Sequence, residues 1–375
     1  MHFHHLHFYV QDTALWKEWF SQKLSFDSIS EDPIKPDSIH PHQVLKQGNI
    51  EIRLSDPNFG PDSDANKKNA ANQADDLVSS SCEVARYLQR HPPGLVDVAF
   101  ATEKFDAVLK QALSQGASLS KPITFDEFGQ RQCQLEGWAH LCHTLVEVSS
   151  NWVKTQNQSR SAPNTKLSDI DHAVINVPQG ELQLAATWYQ KVFGMTSCQQ
   201  FDIQTARSGL HSQVLVHPDG PLQLPINEPS SSNSQIQEFL LHNRGAGVQH
   251  VALRSGNAVA AIAHFRAQGL DLLDIPRAYY DSLYQRSDCP VEDLSDISRQ
   301  QILVDWPHGG QQGMLLQTFT QPIFAEPTFF FEIIERRSYL ENGQLKVVKG
   351  FGEGNFQALF EAIERSQLER SPIEG

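Results

Sequence analysis

A chain of 375 residues, 39% of them hydrophobic, is long enough to bury two ordinary cores. Its 30 Lys and Arg against 44 Asp and Glu leave a net charge of −14 with no basic run, which argues against nucleic acid or an anionic membrane as partner. Five scattered cysteines, never spaced C-x-x-C, argue against a disulfide framework or zinc ribbon and fit a reducing cytoplasm, and no apolar run reaches the about 18 residues of a membrane span.

The first predicted element covers residues 2–10. Phe3, Leu6, Phe8 and Val10 interleave with histidines in strand fashion, so these histidines belong to a strand rather than to a tag or signal peptide. A helical stretch with Trp19, Phe20 and Leu24 follows. The polar piece from Asp56 to Asp76 reads as disorder-prone. GLVDVAF at 94–100 reads as a strand leading into a helix that stops at Gln115-Gly116, and TLVEV at 144–148 closes the first half. Residues 149–169 are polar, lack apolar periodicity and read as a linker.

The pattern then starts again. HAVINV at 172–177 precedes Trp188, Tyr189 and Phe193 as HLHFYV at 5–10 precedes Trp19, Phe20 and Leu24. GVQHVAL at 247–253 matches GLVDVAF, and His250 stands 19 residues before Gly269 as Asp97 stands 19 before Gly116. FFFEI at 329–333 pairs with TLVEV, setting Glu332 opposite Glu147. The fold expected is α+β: two tandem domains of paired βαβββ units, residues 1–150 and 169–375, joined by a linker at 151–168. A last helix at about 355–365 has Phe356, Leu359, Phe360 and Ile363 on one face and Asn355 as its expected N-cap; Gly350, Gly352 and Gly354 before it allow a sharp turn.

His172, His250 and Glu332 lie 78 and 82 residues apart, each in a short apolar run. Burying Glu332 between Phe331 and Ile333 is expensive unless a positive partner answers it: a divalent metal, Arg336 or Arg337. Two imidazoles and one carboxylate on three strands form the facial triad suited to non-haem iron(II), whereas single histidines in apolar strands are more commonly satisfied core residues. The first half offers His5, Asp97 and Glu147 at equivalent places, with an acid in place of an imidazole, so one metal per chain is expected.

From about Asp171 to Glu364 the chain resembles the 4-hydroxyphenylpyruvate dioxygenases of the vicinal-oxygen-chelate superfamily. The resemblance rests on LPINEP (224–229), SQIQEFL (234–240), GAGVQHVAL (245–253), LLQTFTQP (315–322), FFFEIIERR (329–337) and GFGEGNFQALFEAIE (350–364), in the family's order. It implies two such domains of which only the second carries iron, one Fe(II) on His172, His250 and Glu332. The residues themselves give the first half a structural role and make the last helix a lid over the pocket mouth or else a plain helix docked on the sheet. It further implies that Ser212, Asn227, Gln235, Gln249 and Gln317 serve catalysis, and that Pro225, Phe319, Phe330, Phe351, Asn355 and Phe356 bind substrate. Such side chains can hydrogen-bond a phenol and flank an aromatic ring. The activity implied takes 4-hydroxyphenylpyruvate and O2 to homogentisate and CO2, in a homo-oligomer. The alternatives are 4-hydroxymandelate synthesis, which hydroxylates the side chain, and a metal-free binding module.

Overall fold

The computed structural model describes residues 1–29, 42–58, 83–125, 129–159, 166–205, 208–285, 289, 294–306, 313–341, 343–356, 358 and 362–363. Beyond Asn58, the polar piece running to Asp76 lies outside them.

Strands β1 (His2–Tyr9), β2 (Asp27–Ser28), β3 (Gln43–Gln47) and β4 (Ile50–Ser55), with helix α1 (Thr13–Leu24) after β1, make one βαβββ unit. Strands β5 (Gly94–Thr102), β6 (Leu119–Phe125), β7 (Arg131–Glu136) and β8 (Cys142–Glu147), with α2 (Phe105–Ser114), make the next. They join as one sheet in the order β2-β3-β4-β1-β5-β8-β7-β6. After α3 (Ser150–Ser159), the second half uses β9 (Leu167–Asn176), α4 (Leu182–Phe193), β10 (Thr196–Gln204), β11 (Gly209–Val216) and β12 (Gln223–Pro229). Helix α5 (Gln235–Asn243) leads to β13 (Gly247–Ser255), α6 (Ala258–Ala267), α7 (Arg277–Tyr284), α8 (Ser295–Arg299), β14 (Leu303–Asp305), β15 (Leu315–Phe319) and β16 (Phe330–Arg336). This sheet runs β10-β11-β12-β9-β13-β16-β15-β14, the order of the first. The expected paired βαβββ units are therefore present in both halves.

Local chemistry sets the element ends. Asp12 accepts from the Ala14 and Leu15 amides to start α1, and Ser234 accepts from Ile236 to start α5. Gly194, at φ 67°, ends α4 in the left-handed region that glycine enters without strain. Side-chain alternation then divides β16 and the residue before it: Phe329, Phe331 and Ile333 enter the main core, while Phe330 and Glu332 face the second sheet's own cavity. Phe8 of β1 meets Phe329 edge-on at 5.1 Å, Phe20 meets Phe331 at 5.9 Å and Trp16 meets Phe324 at 4.6 Å. Each such pair is worth about 0.5–1.5 kcal/mol beyond its burial. The first sheet thus braces the back of the strand that carries Glu332.

Three expectations change. The stretch read as a linker holds α3, and β9 begins at Leu167. Asn355 stands inside the 3₁₀ turn that leads into the last helix, and its side chain donates to Gln317 Oε1 (3.0 Å) and accepts from the Tyr279 hydroxyl (2.8 Å). Residues 353–355 form a 3₁₀ turn; residues 356, 358, 362 and 363 are helical, while Leu359 and Phe360 lie outside the described residues. Finally, β5 pairs in parallel with β8 as Asp97 with Cys142, and β13 with β16 as His250 with Phe330 and Ala252 with Glu332. With Asp97 matched to His250, the counterpart of Glu332 is Thr144. Glu147 lies three residues further along β8 and pairs with Arg131 at 2.7 Å. A shared glutamate in two apolar runs had suggested the wrong register.

Candidate metal centre and active site

His172 on β9, His250 on β13 and Glu332 on β16 occupy three adjacent strands at the middle of the second sheet. His172 Nε2 lies 3.2 Å from Glu332 Oε2 and His250 Nε2 lies 3.7 Å from it. Donors bonded at about 2.1 Å to one ion, at right angles, sit on the order of 3 Å apart. The spacing therefore fits a single metal on one face, with open positions toward the cavity.

Two β-bulges aim the side chains. Along β9 and β13, Ala252 pairs with His172 and Leu253 with Ile170, leaving Asp171 as an extra residue. Further along, Val248 pairs with Ile175 and His250 with Val174, leaving Gln249 extra. A regular strand would send Asp171 and His172 to opposite faces, and Gln249 and His250 likewise. Here Asp171 Oδ1 lies 3.0 Å from His172 Nδ1, and Gln249 and His250 line the same cavity.

The carboxylates are held tightly. Arg336 grips Asp171 with two donors, Nε at 2.8 Å and Nη2 at 2.7 Å, and Arg254 adds Nε at 3.1 Å. Burial opposes ionisation of Asp171, but Arg336 and Arg254 outweigh it and hold the carboxyl well below the ordinary range. Arg337 pairs with Glu335 at 2.7 Å. Neither arginine contacts Glu332 directly, although Arg336 is close enough to feel its charge; Glu332 Oε1 accepts from Gln317 Nε2 at 2.9 Å. Burial disfavours the His172 cation, but Glu332 and Asp171 outweigh it and push the ring up to about 9. Burial, and then His172 itself, keep His250 well below its usual value. The His250 Nδ1 atom is buried with no partner among the described residues. A buried carboxylate beside two imidazole nitrogens is a donor set that fits a divalent ion.

Around the triad lies a partly open cavity whose empty space, counted out to its mouth, is about 710 Å³. Ser212 of β11, Pro225 and Asn227 of β12, Gln235 of α5, Gln249 of β13, Gln317 and Phe319 of β15, Phe330 of β16, and Phe351, Asn355 and Phe356 all line it. The structure thus places these eleven residues around the triad. Phe330 stacks on the His250 ring at 4.8 Å, and Phe351 meets His172 edge-on at 5.1 Å. Sequence reasoning missed Val174, Phe201, Ile203, Leu210, Val214 and Ile236, and named Gly352 and Ile363 only in the closing turn and helix. Strand alternation was the signal for Phe201 with Ile203, two apart on β10, and for Leu210 with Val214, on either side of Ser212 on β11.

A second set of close donors, His4, His5 and Glu51, lies in the first sheet. Lys46 (2.9 Å) and Arg53 (2.8 Å) already neutralise Glu51, so this cluster is electrostatically complete without an ion.

Comparison with known proteins agrees with this geometry. Residues 169–295 match the family model described as Glyoxalase/Bleomycin resistance protein/Dioxygenase superfamily. The chain is 31% identical to the 4-hydroxyphenylpyruvate dioxygenase of Coccidioides posadasii, over 98% of this chain and 94% of that one. It is 30% identical to the Danio rerio 4-hydroxyphenylpyruvate dioxygenase, over 100% and 92%. In fold it is similar to a mutant of 4-hydroxymandelate synthase from Streptomyces coelicolor, with TM-score 0.75 at 22% identity over 98% of each chain.

Proposed function

The chain belongs to the 4-hydroxyphenylpyruvate dioxygenase family, and from that premise we propose that it converts 4-hydroxyphenylpyruvate and O2 to homogentisate and CO2, using one iron(II) held by His172, His250 and Glu332. The observation that carries the reading is the convergence of those three donors on the wall of an aromatic, amide-bearing cavity. When bound, iron(II) supplies coordination for a 2-oxo acid and activation of dioxygen. The chain's own residues do the rest.

Phe319, Phe330 and Phe351 surround the triad and offer ring faces and edges to an aromatic substrate while keeping water away from it. Ser212, Asn227, Gln235 and Gln249 supply the polar contacts. Gln235 Oε1 is buried and unpartnered among the described residues, so a phenolic hydroxyl can donate to it at no cost to another contact. Gln317 fixes Glu332 through Oε1 and leaves Oε2 toward the histidines. Phe356 and Ile363 of the final helical segment line the cavity, and in this reading the segment is a lid over residues whose support comes from the first domain.

The test is anaerobic reconstitution with iron(II), followed by O2 and 4-hydroxyphenylpyruvate, with the product identified by mass and retention. Homogentisate is expected. 4-Hydroxymandelate, or no turnover by protein that has bound its iron, would overturn the reading.

A further inference from the structure

We infer that Asp171 is a positioning residue for the metal centre: through the β9 bulge it fixes the His172 ring so that Nε2, and not Nδ1, faces the metal. The inference rests on the metal reading above, and it concerns a residue outside the triad and outside the cavity lining.

Four observations carry it. First, the bulge puts two consecutive side chains on one face, and Asp171 Oδ1 comes within 3.0 Å of His172 Nδ1. Second, Asp171 cannot swing away. Its side chain is fully buried and clamped by two arginines on neighbouring strands, Arg254 of β13 and Arg336 of β16. Third, Arg336 also donates to the Gly350 carbonyl at 2.8 Å, so the clamp reaches the turn just before Phe351, which packs on the other side of the His172 ring at 5.1 Å. Fourth, His250 has no such partner; its Nδ1 is unpaired among the described residues and its ring is held instead by stacking on Phe330. The two imidazoles are therefore oriented by different means, one by a buried ionic clamp and one by an aromatic face. An imidazole whose far nitrogen donates to a carboxylate has a defined tautomer and is a stronger donor, and loss of such a partner typically weakens metal affinity 10–100-fold.

The experiment compares cobalt(II) binding by the anaerobic wild-type protein with that by Asp171→Asn, with Asp169→Asn as control. Asp169 is equally buried on β9 and accepts from Asn49 rather than from His172. Expected is a rise of about 10–100-fold in the cobalt dissociation constant for Asp171→Asn and little change for Asp169→Asn. Removing Asp171 leaves two arginines without their carboxylate, and Asp171→Asn can fail to fold. A second measurement uses the wild-type protein alone. In its cobalt(II) form, proton NMR should show a hyperfine-shifted, slowly exchanging ring Nδ1 proton, assigned to His172 by its Overhauser contact with Phe351, the ring that packs on His172, rather than with Phe330, which stacks on His250. Folded Asp171→Asn with unchanged cobalt affinity would overturn the inference, and so would a His172 bound to cobalt through Nδ1. Failure of the wild-type protein to bind cobalt at all would instead sink the metal reading itself.

Discussion

Replacing Gly352 with alanine tests how the final turn is built into the metal centre. Gly352 has φ 79°, and a Cβ there would lie 1.8 Å from Gln317 Oε1 and 2.6 Å from its Cδ. The Gln317 amide cannot remain where it is. It would give up its bond to Glu332 Oε1 (2.9 Å), its bond to the Phe351 carbonyl (3.1 Å) and the donation it receives from Asn355 (3.0 Å). A bond to a carboxylate contributes about 1.5–3 kcal/mol and a neutral one about 0.5–1.5. Alanine in the left-handed region adds about 1–2 kcal/mol of strain. Gly350 provides the control. At φ 98° it carries comparable backbone strain, but its Cβ would meet only the end of the Glu353 side chain, at 2.9 Å. Equilibrium urea unfolding should therefore find Gly352→Ala less stable than Gly350→Ala by about 2–4 kcal/mol, allowing for partial re-pairing of Gln317. Metal affinity should fall roughly tenfold for the first variant only, since Glu332 loses its orienting partner. Equal stability and equal metal affinity of the two variants would refute the idea that Gln317 ties the turn to Glu332.

His172→Ala, His250→Ala and Glu332→Ala should each lose metal and turnover while keeping the fold; metal analysis by mass spectrometry checks this, and any variant that keeps wild-type metal content removes its residue from the set. The wild-type protein should hold one metal per chain after chelation and reloading, and a second equivalent would restore a role for His4, His5 and Glu51. His5 and His143 are fully buried, and burial holds both below the ordinary 6.5, so the folded protein keeps them neutral while the unfolded chain protonates them. Their contribution to stability is therefore complete above about pH 6.5 and is lost as pH falls through that value toward their lower folded-state ones; His143→Gln should make the slope just below pH 6.5 shallower in urea titrations. Ending the chain after Glu353 removes Asn355, Phe356 and Ile363 from the cavity but none of the triad, so metal should stay bound while oxygen uptake becomes uncoupled from homogentisate; full coupling in the truncated protein would show that the segment is no lid.

Much of this was legible because strand alternation is a strict period of two. Phe330 with Glu332, Gln317 with Phe319, and Pro225 with Asn227 each share a face for that reason alone, and once one member is placed the other follows. The bulges were not legible, because they add a residue with no characteristic side chain: nothing in the run from Asp169 to Ala173 announces that Asp171 and His172 turn the same way. Asn355 misled for a related reason. An asparagine before an apolar helical face has the chemistry of a cap, but two side-chain partners, Gln317 and Tyr279, come from segments 38 and 76 residues away and claim it. Glu147 misled because a pairing register was taken from one shared residue type, and only the parallel pairing of β5 with β8 fixes it.

The register gives a chemical reason to expect a metal centre in the second half and a buttress in the first. At the places of His172, His250 and Glu332 the first half has His5, Asp97 and Thr144. Asp97 is fully satisfied from within the sheet: it accepts from the Thr144 amide at 2.9 Å, from the Thr144 hydroxyl, and from Gln134 Nε2 at 2.8 Å. Gln134 pairs with Thr144 as Phe319 pairs with Glu332, so an amide that fills the centre stands where the second half has a ring facing an open cavity. A buried carboxylate with all its acceptors occupied has nothing left for an ion, and a neighbouring threonine adds no charge to attract one. In the second half the balance is reversed. Glu332 receives one bond from Gln317 and keeps Oε2 turned to two imidazoles, a surplus of donor atoms that a divalent ion would answer. Such a surplus persists only in a frame stiff enough to hold it. The frame is supplied from behind, where Phe8 and Phe20 of the first half pack on Phe329 and Phe331, the residues flanking Phe330 and Glu332 on the opposite face. The sheet that satisfied its own acid is thus the one that lets the other leave its acid free for metal.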